Sequence, residues 1–327
     1  MQPPDRRPLI GDDRVELLRA AVAAPSIHNT QPWRFRFTSG GVEVFRDRAR
    51  ELPAEDPDGR MLHLTLGAAI CNVRVAAAHL GRGAAVRYES NPSEPDLVAA
   101  LDLMPAGPDA SRLAALYPAL AERRTNRNPY LEARVPDDVR QLLGVAAELE
   151  GASLEWVNDA TRLHWLRMTI ADADTEDGWN EARIAERRRW VGGERDAEGV
   201  PSESLGPRPY NPRAPVRDLA ATPADSRRPG AAFEQNPQLA VLSTRGEGPA
   251  EWLRAGQALE RVLLEATAHG VSTSLLNQAL EHRELRWLIR DPLGAWSRPQ
   301  AVIRFGYGPP VPPTPRRPLE DVVMPDD

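Results

Sequence analysis

The sequence contains no lysine; all 41 of its basic residues are arginine. That absence excludes Schiff-base chemistry, pyridoxal-phosphate attachment and a phosphate-loop lysine. The bias itself reads most simply as a codon-composition effect. Cysteine is nearly absent too. Cys71 stands alone, which excludes an internal disulfide, a dithiol redox pair and a cysteine-rich metal site. It lies in an apolar helical stretch and reads as a small buried hydrophobe. No uninterrupted run of about 18 apolar residues occurs, so no membrane span is expected. Early acids (Asp5, Asp12, Asp13) interrupt any signal-peptide core, and a cytoplasmic location is expected. The net charge of -6 and pI near 5.7 supply no global field for nucleic acid. The six histidines (His28, His63, His79, His164, His269, His282) show no metal-ligand spacing, and neither a nucleophile elbow nor a Gly-rich phosphate loop occurs.

A chain of 327 residues can bury a full core as two domains or one large unit. Val15, Leu18 and Val22 have helical spacing after Asp12 or Asp13, which can cap, and Pro25 ends that helix. Trp33, Phe35 and Phe37 then alternate with arginines as in a half-buried strand, and Ser39-Gly40-Gly41 turns it into a hairpin. A long helix is expected over Met61–Leu80, stopped by Gly81, with strands at Ala85–Tyr88 and Leu97–Leu103. Pro105 to Ser111 reads as a linker. Beyond it the order restarts: a helix over Asp138–Leu149, a strand at Leu154–Val157, an insertion, a strand at Leu239–Ser243, an amphipathic helix through Trp252 and Ala266, and a strand at Ala301–Phe305. The helix endings echo one another, Ala76 to Gly81 and Ala266 to Gly270, and suggest an internal duplication with halves at 1–112 and 113–327. The insertion, about 172–236, is rich in Pro, Arg, Gly and acids. It reads as a tether or a lid, with the lid favoured because Trp179, Trp190 and Tyr210 could dock it.

Chemistry concentrates at two places. Between the first helix and the first strand, Pro25, Ser26, Ile27, Asn29 and Gln31 precede Pro32-Trp33, offering hydroxyl and amide groups that donate and accept. Such a corner is by itself usually just a loop. The second place is Arg123, Arg124, Thr125, Asn126 and Arg127; an arginine pair is otherwise most often a solvated face, but guanidinium makes bidentate bonds to phosphate. The first segment resembles the P-S-x-x-N-x-Q-P-W segment that lines the FMN pocket of nitroreductase-like flavoproteins. The second resembles the family's phosphate-gripping turn, with Thr125 where Ser is usual.

The two halves carry complementary motifs. In the first half only Arg6-Arg7-Pro8 stands where a hydroxyl-bearing phosphate motif belongs; in the second, Ala146–Ser153 lacks the Pro-Ser-x-x-Asn pattern. Arg304-Phe305-Gly306-Tyr307-Gly308 and the tail carrying Arg316 and Arg317 complete a pattern similar to the Acg-type branch of the superfamily. The resemblance implies an α+β fold of two pseudo-symmetric halves, each with a mainly antiparallel sheet and long helices, holding one FMN in a monomer that acts as a pseudo-dimer. It also implies that Gly270–Asn277 is the loop beside flavin N5, with Leu276 and Asn277 as main-chain contacts. No catalytic acid or base is assigned. NADPH or NADH would donate hydride to FMN, and a nitroaromatic or quinone-type small molecule would accept it. A non-catalytic, FMN-sequestering protein with a closed lid stands as the alternative, and a cofactor-free binding module as the residual one. His28 is expected to be satisfied by backbone rather than to face the flavin; His79 and His269 suit helix C-termini.

Overall fold

Two four-stranded antiparallel sheets with one strand order organise the chain in the computed structural model, which describes residues 11–89, 92–211, 213–220, 225–290 and 298–326. The first half runs α1 (Gly11–Val22), β1 (Trp33–Phe37), β2 (Gly41–Arg46), α2 (Arg60–His79), β3 (Arg82–Tyr88) and β4 (Leu97–Pro105). After the short helices α3 (Ala110–Ala115) and α4 (Tyr117–Glu122), the second runs α5 (Asp137–Glu148), β5 (Ser153–Trp156), α6 (Ala160–Trp179), α7 (Glu181–Trp190), the two-residue strands β6 (Arg208–Pro209) and β7 (Gly230–Ala231), β8 (Gln238–Thr244), α8 (Pro249–Ala268), β9 (Ser272–Leu275), α9 (Gln278–Glu281), α10 (Arg283–Ile289) and β10 (Arg298–Gly306). Sheet order is β1-β2-β4-β3 in the first half and β5-β8-β10-β9 in the second. In each sheet the last strand in sequence inserts between the two before it, and a 20-residue helix joins those two.

The helices α2 and α8 cross at glycines. A Cβ on Gly67 would stand 2.1 Å from the Leu253 carbonyl oxygen, and one on Gly256 would stand 2.0 Å from that of Leu64. The contact is reciprocal, and Leu64/Leu253, Gly67/Gly256 and the helix-ending Gly81/Gly270 are all separated by the same interval in the chain. Both of the last pair are left-handed, at φ +74° and +69°, where only glycine sits without strain. By length and composition α2 could cross a membrane, but here it is the buried core helix, packed on α1 and α8.

Several expectations need correction. Asp12 and Asp13 do not precede the first helix; they lie in its first turn, where acid favours the helix dipole. Gly270–Asn277 is not a plain loop, since Ser272–Leu275 pairs with β10. The insertion is more regular than its composition suggests. Asp159 and Asn180 cap α6 and α7 by accepting from the N–H of Arg162 and Arg183. Trp190 is buried with Val191, Val200, Leu205 and Leu219 against Leu52, whereas Trp179 and Tyr210 are 84% and 70% exposed and do not serve as docking aromatics. Arg6-Arg7-Pro8 lies outside the described residues.

The tail returns across the molecule. The Phe35 N–H donates to the Val322 carbonyl (2.7 Å), and the Met324 N–H donates to that of Phe35 (2.7 Å), so residues from the second half extend the first sheet beside β1. This path carries residues 311–317 past the helix-to-strand corner.

Candidate functional site

The corner between α1 and β1 is held in an unusual backbone shape. His28, Asn29 and Gln31 have φ of 48°, 54° and 50°, a left-handed conformation that costs non-glycine residues about 1–3 kcal/mol each. Hydrogen bonds from the insertion and the tail offset that cost. Asn29 Nδ2 donates to the carbonyls of Gly199 (2.9 Å) and Pro315 (3.0 Å), and Gln31 Nε2 donates to Ala197 (2.7 Å). Gln31 Oε1 accepts from the Arg317 N–H (2.9 Å), and Ser26 Oγ accepts from the Gln31 N–H (3.1 Å).

Two adjoining clefts open at this corner, sharing Pro25, Ser26, His28, Thr125 and Arg127. They measure about 650 and 730 Å³ when their open mouths are included. The first is an arginine chamber formed by Arg123, Arg124, Arg127 and Arg316. Thr125 bridges to Thr273, and the Asn126 N–H donates to the Thr273 carbonyl (2.8 Å), which fixes this turn on β9. Burial pushes the Arg316 guanidinium down to about 9, with Arg123 and Arg124 acting the same way and Glu260 opposing. Burial likewise pushes Arg127 down to about 10, helped by Arg217 and Arg228. No described carboxylate pairs with Arg127; its guanidinium donates to the Ser204 carbonyl (3.0 Å). Mutually repelling cations with few acids among them form a site that an anion would neutralise.

The second cleft is a slot lined by Ile27, Met61, Leu64, Ala68, Leu259 and Leu275, with Ser26, Thr65, Asn277 and Arg217 at its polar edge. Asn277 Oδ1 accepts from the Val302 N–H (2.9 Å), while its buried Nδ2 has no partner among the described residues. A flat heteroaromatic ring with carbonyl and ring-nitrogen acceptors matches such a slot.

Of the sequence-predicted residues, Pro25, Ser26, Arg127 and Thr125 line both clefts. Asn29, Arg123, Arg124 and Arg316 line the arginine chamber, and Ile27 and Asn277 line the slot. Three are not brought to either. The Leu276 N–H donates to the Val302 carbonyl (2.9 Å), so sheet pairing consumes the donor expected to face flavin N5, and its side chain lies in the core. Gln31 is fully buried and engaged at both ends of its amide. Arg317 clamps this corner instead, donating to the carbonyls of Gln31 (3.1 Å) and Asp321 (2.8 Å). His28 also departs from expectation: it lines both clefts, its Nε2 has no hydrogen-bond partner among the described residues, and it stands 3.6 Å from Glu55 Oε2.

Sequence reasoning missed Arg217 and Leu219 of the insertion and the α2 face Met61-Leu64-Thr65-Ala68. That face repeats at i, i+3, i+4 and i+7 and reads only as core. Arg217 belongs to a buried ionic network that ties the insertion to both halves. Its guanidinium pairs with Glu281 (2.7 Å), Asp177 (3.1 Å) and Glu55 (3.4 Å); Arg187 pairs with Glu55 (2.8 Å) and Asp177 (3.1 Å), and Arg183 with Asp177. Glu55, Asp177 and Glu281 come close enough for a metal, but the three arginines already neutralise them. Burial pushes the Asp177 carboxyl up, yet His282, Arg217 and Arg183 outweigh it and hold the group at about 2.

The corner between α5 and β5 is differently spent. Glu150 gives one carboxylate oxygen to Arg74 (2.6 Å) and the other to Arg261 (2.8 Å).

No family model matches the chain. It is 33% identical over 314 residues to "Putative NAD(P)H nitroreductase Rv3131" of Mycobacterium tuberculosis (strain ATCC 25618 / H37Rv), covering 94% of this chain and 90% of that protein. It is equally identical over 314 residues to "Putative NAD(P)H nitroreductase acg" of the same strain, covering 93% of each. Solved structures with similarity include an FMN-bound nitroreductase from Bacteroides fragilis (16% identity, TM-score 0.38, 61% of this chain and 92% of that one). Another is an FMN-bound nitroreductase from Desulfitobacterium hafniense (15% identity, TM-score 0.39, 64% and 97%).

Proposed function

The chain belongs to the nitroreductase-like superfamily, and from that premise we propose that it is an FMN-dependent NAD(P)H oxidoreductase, one cofactor held between two related halves of a single chain. The observation that carries this reading is the juxtaposition of the arginine chamber and the apolar slot at one strained corner. Arg123, Arg124 and Arg316 would hold the phosphate, with Thr125 adding a hydroxyl donor. Ser26, Asn277 and Arg127 would face the polar edge of the ring. When bound, FMN supplies a ring able to take hydride from NAD(P)H and pass it to an electron-poor acceptor of the nitroaromatic or quinone type. The chain's own part is to orient that ring, exclude water with Leu64, Ala68, Leu219 and Leu259, and place arginine charge where electron density accumulates.

The duplication behind the single site is part of the proposal, and the repeated sheet order and reciprocal glycine crossing support it. So does the second corner, where Glu150 is committed to two arginines.

The test is the absorbance spectrum of the purified protein, recorded anaerobically before and after NADPH and NADH. Flavin bands that bleach and return on adding a quinone are the expected result. A protein that carries no flavin and takes up none would overturn the cofactor assignment.

One observation favours the sequestering alternative: Arg217, Leu219, Val200 and Ser204 of the insertion line the clefts, and the buried network latches that segment down. If this cover limits access, Asp177→Asn should loosen it, because removing one partner of a buried ionic network costs about 3–5 kcal/mol. Stopped-flow should then show faster bleaching by NADPH in the variant; equal rates would show that the cover does not gate the site. The same network predicts acid release. Asp177 is held below its unfolded value, so its stabilisation is complete above about pH 4 and lost as pH falls through about 2.

A further inference from the structure

Behind the arginine chamber, where α8 meets α2, four buried polar atoms have no hydrogen-bond partner among the described residues: both carboxylate oxygens of Glu260, Oδ1 of Asn72 and Nε of Arg123. Glu260 is fully buried, and its Oε1 lies 3.4 Å from Arg123 Nε, an ion-pair distance without a hydrogen bond's geometry. Asn72 has already committed its Nδ2 to the Ala20 carbonyl (3.0 Å). The Glu260 carboxylate, fully buried and without a hydrogen bond among the described residues, has the Arg123 guanidinium beside it to balance its charge. One proton on Glu260 removes that buried charge.

We infer that Glu260 is a positioning residue for the phosphate chamber: it acts through Arg123, and binding of a phosphate-bearing ligand there is coupled to uptake of a proton by its carboxyl. The inference rests on the FMN reading of the chamber. Without a ligand, Arg123 is the nearest cation to the Glu260 carboxylate. A dianionic phosphate held by Arg123 and Arg316 competes for their charge and adds its own, and both effects favour the neutral acid. The balance is at most one proton gained by the complex for each anion bound; no other bond is made or broken.

The groups facing Glu260 agree with this. Burial pushes its carboxyl up to about 7, while Arg123, the Asn72 side chain and Arg316 oppose the rise. Cys71 on α2 also adjoins it; burial pushes that thiol far up, so it contributes no charge near neutrality. Arg261, the next residue on α8, is committed to Asp109 (2.9 Å) and Glu150 (2.8 Å).

The sign follows directly. If the ligand-bound form holds the proton more tightly, FMN affinity falls as pH rises through the unliganded Glu260 titration, by at most tenfold per pH unit for one proton. The phosphate's own second ionisation, near 6, is nearly complete by pH 7 and does not produce this slope. FMN binding to the apo full-length chain is therefore measured by fluorescence quenching from pH 7 to 9, with riboflavin, which lacks the phosphate, as control. Titration calorimetry at pH 7.5 in two buffers of different protonation enthalpy counts protons.

The wild type should lose about tenfold in FMN affinity over that range and take up a fraction of a proton per FMN. Riboflavin should bind weakly and without slope. Glu260→Gln, which mimics the neutral acid in shape, should vary by less than about twofold and take up no proton. Wild-type binding without proton uptake, or uptake that persists in Glu260→Gln, overturns the inference while leaving the FMN reading intact. FMN that fails to bind at any pH overturns both. Should Glu260→Gln not fold, the wild-type proton count and the riboflavin control decide alone.

Discussion

Replacing Arg123 and Arg127 together by alanine should raise the FMN dissociation constant by about 10²–10⁴-fold. Each charge-assisted bond to a phosphate or to the ring edge contributes about 1.5–3 kcal/mol, and every 1.4 kcal/mol is a factor of ten. The fold should survive, since Arg127 has no carboxylate partner among the described residues. Arg123 forms one internal hydrogen bond, to the Ala23 carbonyl at 3.2 Å, besides its loose contact with Glu260. The measurement is flavin content after desalting, beside a far-ultraviolet circular dichroism spectrum. Stoichiometric flavin retained by a folded double variant would remove these residues from the cofactor site. Arg188→Ala with Arg189→Ala is the control for loss of charge in general, because these α7 arginines line neither cleft.

Gly67→Ala should be strongly destabilising. Its Cβ would meet the Leu253 carbonyl oxygen at 2.1 Å and the Gly256 Cα at 2.9 Å, both backbone atoms of a helix that cannot rotate away. Overpacking typically costs about 1–3 kcal/mol, and the upper end is expected here because relief requires separating α2 from α8. The reference is Gly144→Ala on α5, where nothing lies within 4 Å of the added methyl. There helix propensity alone predicts a gain of about 0.5–1 kcal/mol. Urea unfolding of the two variants should move the midpoint in opposite directions. Equal midpoints would mean that the helix crossing is looser than its geometry implies.

Much of this architecture could be read from residue patterns because the elements that build it have clear periods. Trp33, Phe35 and Phe37 are buried in alternation as their spacing requires, and α2 occupies Arg60–His79, one residue from its expected start and end. The insertion was harder to read. In α6, Trp165 and Trp179 are exposed while Asp177 is buried, so apolar periodicity reports the wrong face. A buried carboxylate surrounded by arginines leaves no trace in a pattern of hydrophobic and polar residues. The caps Asp159 and Asn180 were the available signals, and each was submerged in a run of other acids and amides.

The cleft was legible where local chemistry is dense and illegible where it depends on register. Pro25, Ser26 and the Arg123–Arg127 turn stand out through their resemblance to the family's flavin and phosphate motifs. Leu276 illustrates the limit: whether a backbone N–H faces a cleft or a neighbouring strand depends on one residue of register at the end of β9, and here the Leu276 N–H, just past that strand, bonds to Val302. Gln31 and Arg317 show another. Both carry groups suited to a ligand, yet each uses them to hold the left-handed corner in shape, a demand visible only once the φ values are known. Glu260, spaced as an ordinary helical residue, becomes notable only because α2 brings Asn72 against it.

The reciprocal meeting of Gly67 with Leu253 and Gly256 with Leu64 has a further consequence for how the two halves depend on one another. The contact closes without help from the peptide between them, and the tail beside β1 closes it a second time. The short connection through Ala106, Gly107 and Pro108 therefore contributes concentration rather than contact: it keeps two mutually complementary surfaces within reach at millimolar effective levels. Symmetric assembly of identical subunits obliges every substitution to appear at both sites. On the duplication proposed above, a tether lifts that obligation: one corner specialises around a ligand while its mirror position, at Glu150, holds the structure together.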